Sequence, residues 1–257
     1  MSLLQPETGC YEISGSILFI YKKGFTLSNK HFPKDLRILY EDKDILVIEK
    51  PSGLLTMGTE KDKIRTAYAA LTDYVRKGYQ KSQNRIFIVH RLDRDTSGIL
   101  IFAKNFSAKL RLQGGWEETE KKYLAVVPGR FEKKEGTITT YLAENKAHIV
   151  YSVSDPSKGK QARTAYKVLK EIKGFSLLEV DLLTGRKHQI RVHLADIGHP
   201  VVGDEKYGRG KDGYKRLALH AKSISFIHPS TGKRLFFETG FPEYFNKLMG
   251  IRDKEGS

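Results

Sequence analysis

The chain has 257 residues, 39% of them hydrophobic, with 13 Tyr and 13 Phe, enough apolar material to bury a sizeable core and to exclude a disordered chain. Lys and Arg outnumber Asp and Glu by 45 to 30, and a formal net charge of +15 favours polyanionic partners, because each phosphate neutralised releases a counterion. A single cysteine, Cys10, excludes an internal disulfide and a Cys-rich zinc site, and the longest apolar stretch near the start, Ile17–Tyr21, is too short for a signal-peptide core or a membrane span, so a cytoplasmic, membrane-free protein is expected.

Residues 1–35 show weak periodicity and are expected to form a short extension with a small hairpin around Ile17–Tyr21. A single domain is expected over 36–245, followed by a charged tail over 246–257. Ile38–Tyr40 and Ile45–Ile48 read as two strands joined by the charged turn at 41–44. Lys50-Pro51-Ser52-Gly53 then forces a loop. Thr66 is placed to cap a helix to Lys77, with Ala67, Leu71, Tyr74 and Val75 on one face and Gly78 as its stop. Strands follow at Arg85–Val89 and Gly98–Ala103, then a helix over Ala108–Gln113 capped by Ser107. Further strands are expected at Tyr123–Val127, Gly136–Leu142, Ala162–Lys170, Phe175–Leu183, Leu217–Phe226 and Lys233–Thr239, and a last helix at Glu243–Met249. Over Lys187–Ile197 a helix is preferred to a strand. Ile190, Leu194 and Ile197 recur at helical spacing, Thr184 stands near its start and Gly198 just past its end. Strands predominate and helices are scattered among them, which argues for an α+β fold with a mostly antiparallel or mixed sheet.

The most informative stretch is His90-Arg91-Leu92-Asp93-Arg94-Asp95-Thr96-Ser97-Gly98, a polar run between two apolar strands. Such a run presents its side chains at the rim of a rigid sheet, where sites are commonly built. A carboxylate beside arginine stays ionised and suits a nucleophile or base better than a proton donor; a charged turn held by salt bridges is the competing explanation. In Thr184–His193 a helix puts His188 and Arg191 on one face at i, i+3, and Lys187 with Arg191 at i, i+4, and its N-terminus could attract phosphate. A solvated basic face is the commoner explanation of such a helix. His188 and His193 stand at i, i+5, off one another's face and without an evident third ligand, so no metal is expected. Gly208-Arg209-Gly210-Lys211-Asp212-Gly213 fits GxGxxG, but a charged loop precedes it and a strand follows, so no nucleotide cofactor is expected. Tyr123, behind Lys121 and Lys122, suits stacking on a base, although an aromatic at a strand start is more often core.

Taken together and in chain order, these stretches resemble the RluA-type pseudouridine synthases. The resemblance rests on His-Arg-Leu-Asp-x-x-Thr-Ser-Gly at 90–98, Lys50-Pro51-x-Gly53, the Tyr123 strand, Gly185-Arg186-x-His188-Gln189-Ile190-Arg191-x-His193, Gly198-His199-Pro200, Leu219-His220-Ala221 and His228-Pro229, and covers roughly 36–240. It implies the pseudouridine synthase fold, a long mixed sheet with flanking helices and a central cleft. It implies that Asp93 is the catalytic aspartate, that Arg91 displaces the target nucleotide, and that Tyr123 stacks on the flipped base and assists proton transfer at C-5. Arg191 would pair with Asp93, Leu219 would line the pocket floor, and His188 would contact substrate. Uridine isomerisation involves no redox change, so a cofactor-free and metal-free site suffices, and structured rRNA or tRNA is the implied partner of a monomer. Asp93 would either attack the sugar or base, or take a sugar proton so that a glycal forms. Two departures stand out. Leu54-Leu55-Thr56-Met57-Gly58 replaces the His-Pro pair that follows the Lys-Pro loop in many members, and about 35 N-terminal residues are too few for the small RNA-binding domain many relatives carry.

Overall fold

A computed structural model of the chain describes residues 8–13, 16–21, 33, 35–58, 64–77, 79, 81–208 and 213–250. Most of the GxGxxG match, residues 209–212, lies outside them, as does residue 78, the expected helix stop. The fold is α+β with a mixed sheet, as the resemblance implied. The chain divides into two compact units, Met1–Thr119 with Ala221–Gly240, and Glu120–His220 with Phe241–Ser257.

In the first unit β1 (Thr8–Ile13) and β2 (Ser16–Tyr21) form the expected antiparallel hairpin. The next antiparallel pair, β3 (Arg37–Glu41) and β4 (Ile45–Lys50), turns on Asp42, whose Oδ1 accepts the amides of Asp44 (2.7 Å) and Ile45 (2.8 Å). Helix α1 (Ala67–Arg76) starts where expected, with the Thr66 hydroxyl accepting from the Ala69 amide. It ends at Lys77, whose left-handed backbone (φ 53) lets its N–H reach the Asp73 and Tyr74 carbonyls.

The strand expected over 85–89 shrinks to β5 (Phe87–Ile88), paired with β6 (Ser97–Ala103). Side chains take over the ladder beyond it. The Gln113 amide donates to the Val89 carbonyl (3.1 Å), and the His90 ring accepts the Ile101 N–H (3.1 Å). Helix α2 (Phe106–Gly114) begins two residues before the expected start because Asn105, not Ser107, is its cap, accepting the Ala108 amide at 2.8 Å. Antiparallel β12 (Leu219–Ile227, within this unit from Ala221) and β13 (Arg234–Glu238) complete the unit, and β13 runs parallel to β2. Strand β6 lies between β4 and β12. Gly98 has φ +113, and a Cβ there would stand 2.2 Å from the Ala221 carbonyl, so only glycine admits this approach. Ile45, Val47, Ile99, Ile101, Phe226 and Phe237 lead the core.

In the second unit β7 (Glu120–Pro128), β11 (Phe175–Leu182), β10 (Lys160–Ile172), β8 (Glu135–Glu144) and β9 (Val150–Val153) lie side by side in that order, all antiparallel. Four-residue β9 was not expected; it is too short to show a pattern. Helix α3 (Gln189–Asp196) packs on β8, β9 and β10, and α4 (Glu243–Met249) lies where the sequence put it. Helix α3 starts two residues later than expected because His188 adopts φ 54, outside helical geometry. Among the described residues no helix is long and apolar enough to cross a membrane.

Candidate active site

The first unit carries Asp93 and Arg91 on the polar run that leaves β5 and returns at β6. What holds this run is the segment after β4. Lys50 is fully buried, and its ammonium donates to the carbonyls of Pro51 (3.0 Å), Leu54 (2.7 Å) and Arg94 (2.9 Å). Three N–H donors meet three acceptors, so the lysine is satisfied without a carboxylate. Burial pushes its pKa down to about 7, against the pull of Asp95 and Asp93.

Further bonds join the same two segments. The buried Thr56 hydroxyl donates to the Leu92 carbonyl (2.8 Å) and accepts the Leu92 amide (3.2 Å). The Gly53 amide donates to the Arg94 carbonyl (2.9 Å) and the Ser52 hydroxyl to that of Asp95 (2.7 Å). The backbone is therefore tied on both sides of Asp93, whose side chain is half-buried, while Arg91 is exposed. Asp95, the other carboxylate of the run, is engaged by its neighbour Arg94 at 3.1 Å. His90, accepting at Nε2, carries its proton on Nδ1 and packs against Trp116 at 4.6 Å between ring centres. Sequence reasoning missed the roles of Lys50 and Thr56. The available signal was a lysine closing a strand that opens with four apolar residues, Ile45–Ile48.

The second unit carries Tyr123, His188, Arg191 and Leu219. Tyr123 is buried in β7 opposite Val180 of β11, and Leu219 is buried at the start of β12. Helix α3 is not a solvated basic helix: every residue from Gln189 to Leu194 is buried. Gln189 uses its whole amide. Its nitrogen donates to the Arg163 carbonyl and the Thr164 hydroxyl (both 2.9 Å), and its oxygen accepts from the Thr184 hydroxyl (2.8 Å) and the Arg186 amide (3.0 Å). This closes the turn 184–189 and gives His188 its left-handed backbone. His193 lies between the Thr164 and Thr140 hydroxyls (both 2.9 Å), and burial holds its pKa below the usual range.

The Arg191 guanidinium makes two parallel bonds of 2.7 Å to the fully buried carboxylate of Asp204. Burial alone would raise the Asp204 pKa, but Arg191 and the amides of Tyr207 and Lys206 hold it below the carboxylate range. Tyr207 contacts both His188 and Arg191, although His188 lies outside the helix expected to put the two on one face. Its hydroxyl bonds His188 Nδ1 at 2.7 Å, and its ring lies 5.1 Å from Arg191 Cζ. Asp204 and Tyr207 are functional residues that sequence reasoning missed. Lys187 lies outside the helix and pairs with Glu144 instead of facing Arg191.

One group of described residues, Asp42, Asp44 and His228, places possible metal-ligand atoms within 4.8 Å of one another. Asp42 is already saturated by two amides, the Tyr40 hydroxyl (2.9 Å) and His228 Nε2 (2.8 Å). His228 Nδ1 accepts the amides of Ser230 and Thr231, so Nε2 carries the proton and has no lone pair to offer. Only Asp44 Oδ2 remains unbonded, and the group acts as a hydrogen-bonded knot between the β3–β4 and β12–β13 turns.

Residues 44–196 match the family model described as RNA pseudouridylate synthase. The chain is 38% identical over 234 residues to an uncharacterised RNA pseudouridine synthase of Mycoplasma genitalium, covering 88% of this chain and 74% of that one. It is 37% identical over 219 residues to the ribosomal large subunit pseudouridine synthase C of Rickettsia bellii, covering 82% and 70%. Among solved structures, the human RNA pseudouridylate synthase domain containing 4 protein shares its fold with a TM-score of 0.68 at 24% identity, covering 81% of this chain and 89% of that one.

Proposed function

This chain belongs to the RNA pseudouridylate synthase family and isomerises uridine within RNA, and from that premise we propose that it modifies a specific uridine of ribosomal or transfer RNA with Asp93 as its catalytic carboxylate. The large-subunit function named for the Rickettsia bellii relative supports ribosomal RNA as the target. The observation that carries the Asp93 assignment is the anchoring of its loop. Leu92, Arg94 and Asp95 are each bonded to the segment 50–56, so the carboxylate projects from a backbone fixed on either side. A group that must meet a sugar within reacting distance needs that rigidity, because misplacement by about 1 Å costs on the order of a hundredfold in rate.

In the proposed reaction the bond from C1′ to N1 breaks, the uracil turns, C5 joins C1′, and the proton lost from C5 is balanced by one gained at N1. Atoms and electrons balance with no external group, so the reaction needs no nucleotide cofactor. Arg91, exposed on the anchored loop, enters the RNA helix and displaces the nucleotide, offsetting an unstacking cost of a few kcal/mol. Tyr123 stacks on the freed base and serves the proton transfer at C5. Arg191 acts beside the target nucleotide, with its orientation set by Asp204. Leu219 and His188 contact the substrate nucleotide.

The test is a map of pseudouridines in total RNA from cells with and without the protein. At least one ribosomal or transfer RNA position should lose its pseudouridine and regain it on complementation. An unchanged map would reject the proposal, and release of free uracil by the purified protein would point to a hydrolase instead.

A further inference from the structure

The second unit holds a groove of about 730 Å³, walled by residues 142–144 at the end of β8, the turn 157–160 that enters β10, and the segment 185–187 that leads into α3. Its lining carries four cations, Lys158, Lys160, Arg186 and Lys187, against one carboxylate, Glu144. All four are exposed. Glu144 is already engaged by Lys187 and His148, which bring its pKa down to about 2. Lys158 reaches Asp155 only at 3.5 Å, and Lys160 has no carboxylate partner among the described residues. Arg186 spends its Nε on the Gln161 carbonyl (3.0 Å), which fixes the direction of the guanidinium and leaves its charge uncompensated.

Neighbouring geometry narrows the ligand. A small anion held alone would need a closed cradle of buried donors, whereas these cations are solvated and come from two walls of an open groove. That arrangement suits an extended polyanion, held by displacing its counterions. The exposed Gly185 has no positive φ, and a Cβ there would meet nothing within 4 Å, so the groove is open at that point. Lys187 is followed directly by His188, so a strand held by 186–187 is delivered to the residues assigned to the target nucleotide.

We propose that this groove docks the phosphodiester backbone of the RNA beside the target uridine. The inference rests on the RNA-modifying reading above and goes beyond it by assigning the docking surface to Lys158, Lys160 and Arg186.

The test compares the triple variant Lys158→Gln, Lys160→Gln, Arg186→Gln with a charge-matched control, Lys133→Gln, Lys233→Gln, Lys247→Gln, whose positions are all exposed and outside this groove. Binding of fluorescein-labelled poly(U) is measured across a salt series, and pseudouridine formation is measured on unmodified total RNA. Each phosphate contact on a single strand contributes about 0.7 to the slope of log affinity against log salt, so the groove variant should lose about 2 of that slope and bind at least roughly tenfold more weakly at low salt. The half-saturating RNA concentration should rise, with kcat at saturating RNA and melting temperature unchanged. Gly185→Glu, which places a carboxylate in the same space, should weaken binding in the same way. Equal losses in the groove and control variants, or a loss confined to kcat, would overturn the docking assignment. Asp93→Asn separates the two claims: it should abolish turnover while keeping the wild-type salt slope.

Discussion

Thr56→Val is the sharpest probe of how the Asp93 loop is held. The substitution keeps the side-chain shape but removes the hydroxyl that both accepts from the Leu92 amide and donates to its carbonyl. Thr56 is 3% exposed and Leu92 6%, so water cannot readily replace either bond. A buried polar group left without a partner costs about 1–3 kcal/mol, and two such groups put the expected loss at about 2–6 kcal/mol. For a protein of this size each kcal/mol lowers Tm by roughly 2–4 °C, so a drop of at least about 4 °C is expected in a thermal melt. Activity should fall more than stability alone explains. Leu92 precedes Asp93, and a loop released by even about 1 Å would lower kcat on the order of a hundredfold. Thr56→Ser, which restores the hydroxyl and loses only a methyl, should recover most of both. A valine variant with wild-type Tm and kcat would show that the loop is held by something other than this hydroxyl.

Arg191→Met leaves the Asp204 carboxylate buried without its cation and should destabilise the fold by about 3–5 kcal/mol in urea denaturation, with Asp204→Asn added on top recovering part of the loss; an unchanged urea midpoint would contradict the pairing. Gly98→Ala drives a Cβ to 2.2 Å from the Ala221 carbonyl at φ +113, so the variant should be recovered largely insoluble, and a soluble protein with wild-type Tm would be incompatible with that strand spacing. Burial, opposed weakly by Asp196, lowers the pKa of His193 below 6.5, so the unfolded chain binds this proton more readily than the folded one. The contribution is therefore fully present above about pH 6.5 and is lost as pH falls through the depressed folded value. Melting curves from pH 7.5 down to about 5 should show wild-type Tm falling more steeply than that of His193→Gln, and parallel curves would remove His193 as a source of the pH dependence.

Much of the first unit was legible because its elements announce themselves locally. Two carboxylates and two arginines between apolar strands can only be a turn at a sheet rim, and Thr66 ahead of Ala67, Leu71 and Val75 marks a helix start. Asn105 and Ser107 are both good caps, and the exposed Phe106 hides which one is used, so the helix there was entered two residues late. Around α3 the sequence misled for a different reason. Lys187, His188 and Arg191 look like a solvated basic face, and only partners distant in sequence make that helix buried: Thr140 and Thr164 for His193, Asp204 for Arg191, Arg163 and Thr164 for Gln189. No periodicity encodes such pairs. The same holds for Lys50, which resembles an ordinary exposed lysine until the carbonyls of Pro51, Leu54 and Arg94 converge on it.

Asp93→Asn tests the central claim most directly, with Asp95→Asn as the neighbouring control. Both purified variants would be given RNA from cells lacking the protein, and pseudouridine would be counted after digestion. Loss of turnover in the first variant alone, with melting temperature and RNA binding intact in both, is the predicted result. Wild-type turnover by Asp93→Asn would contradict the assignment outright.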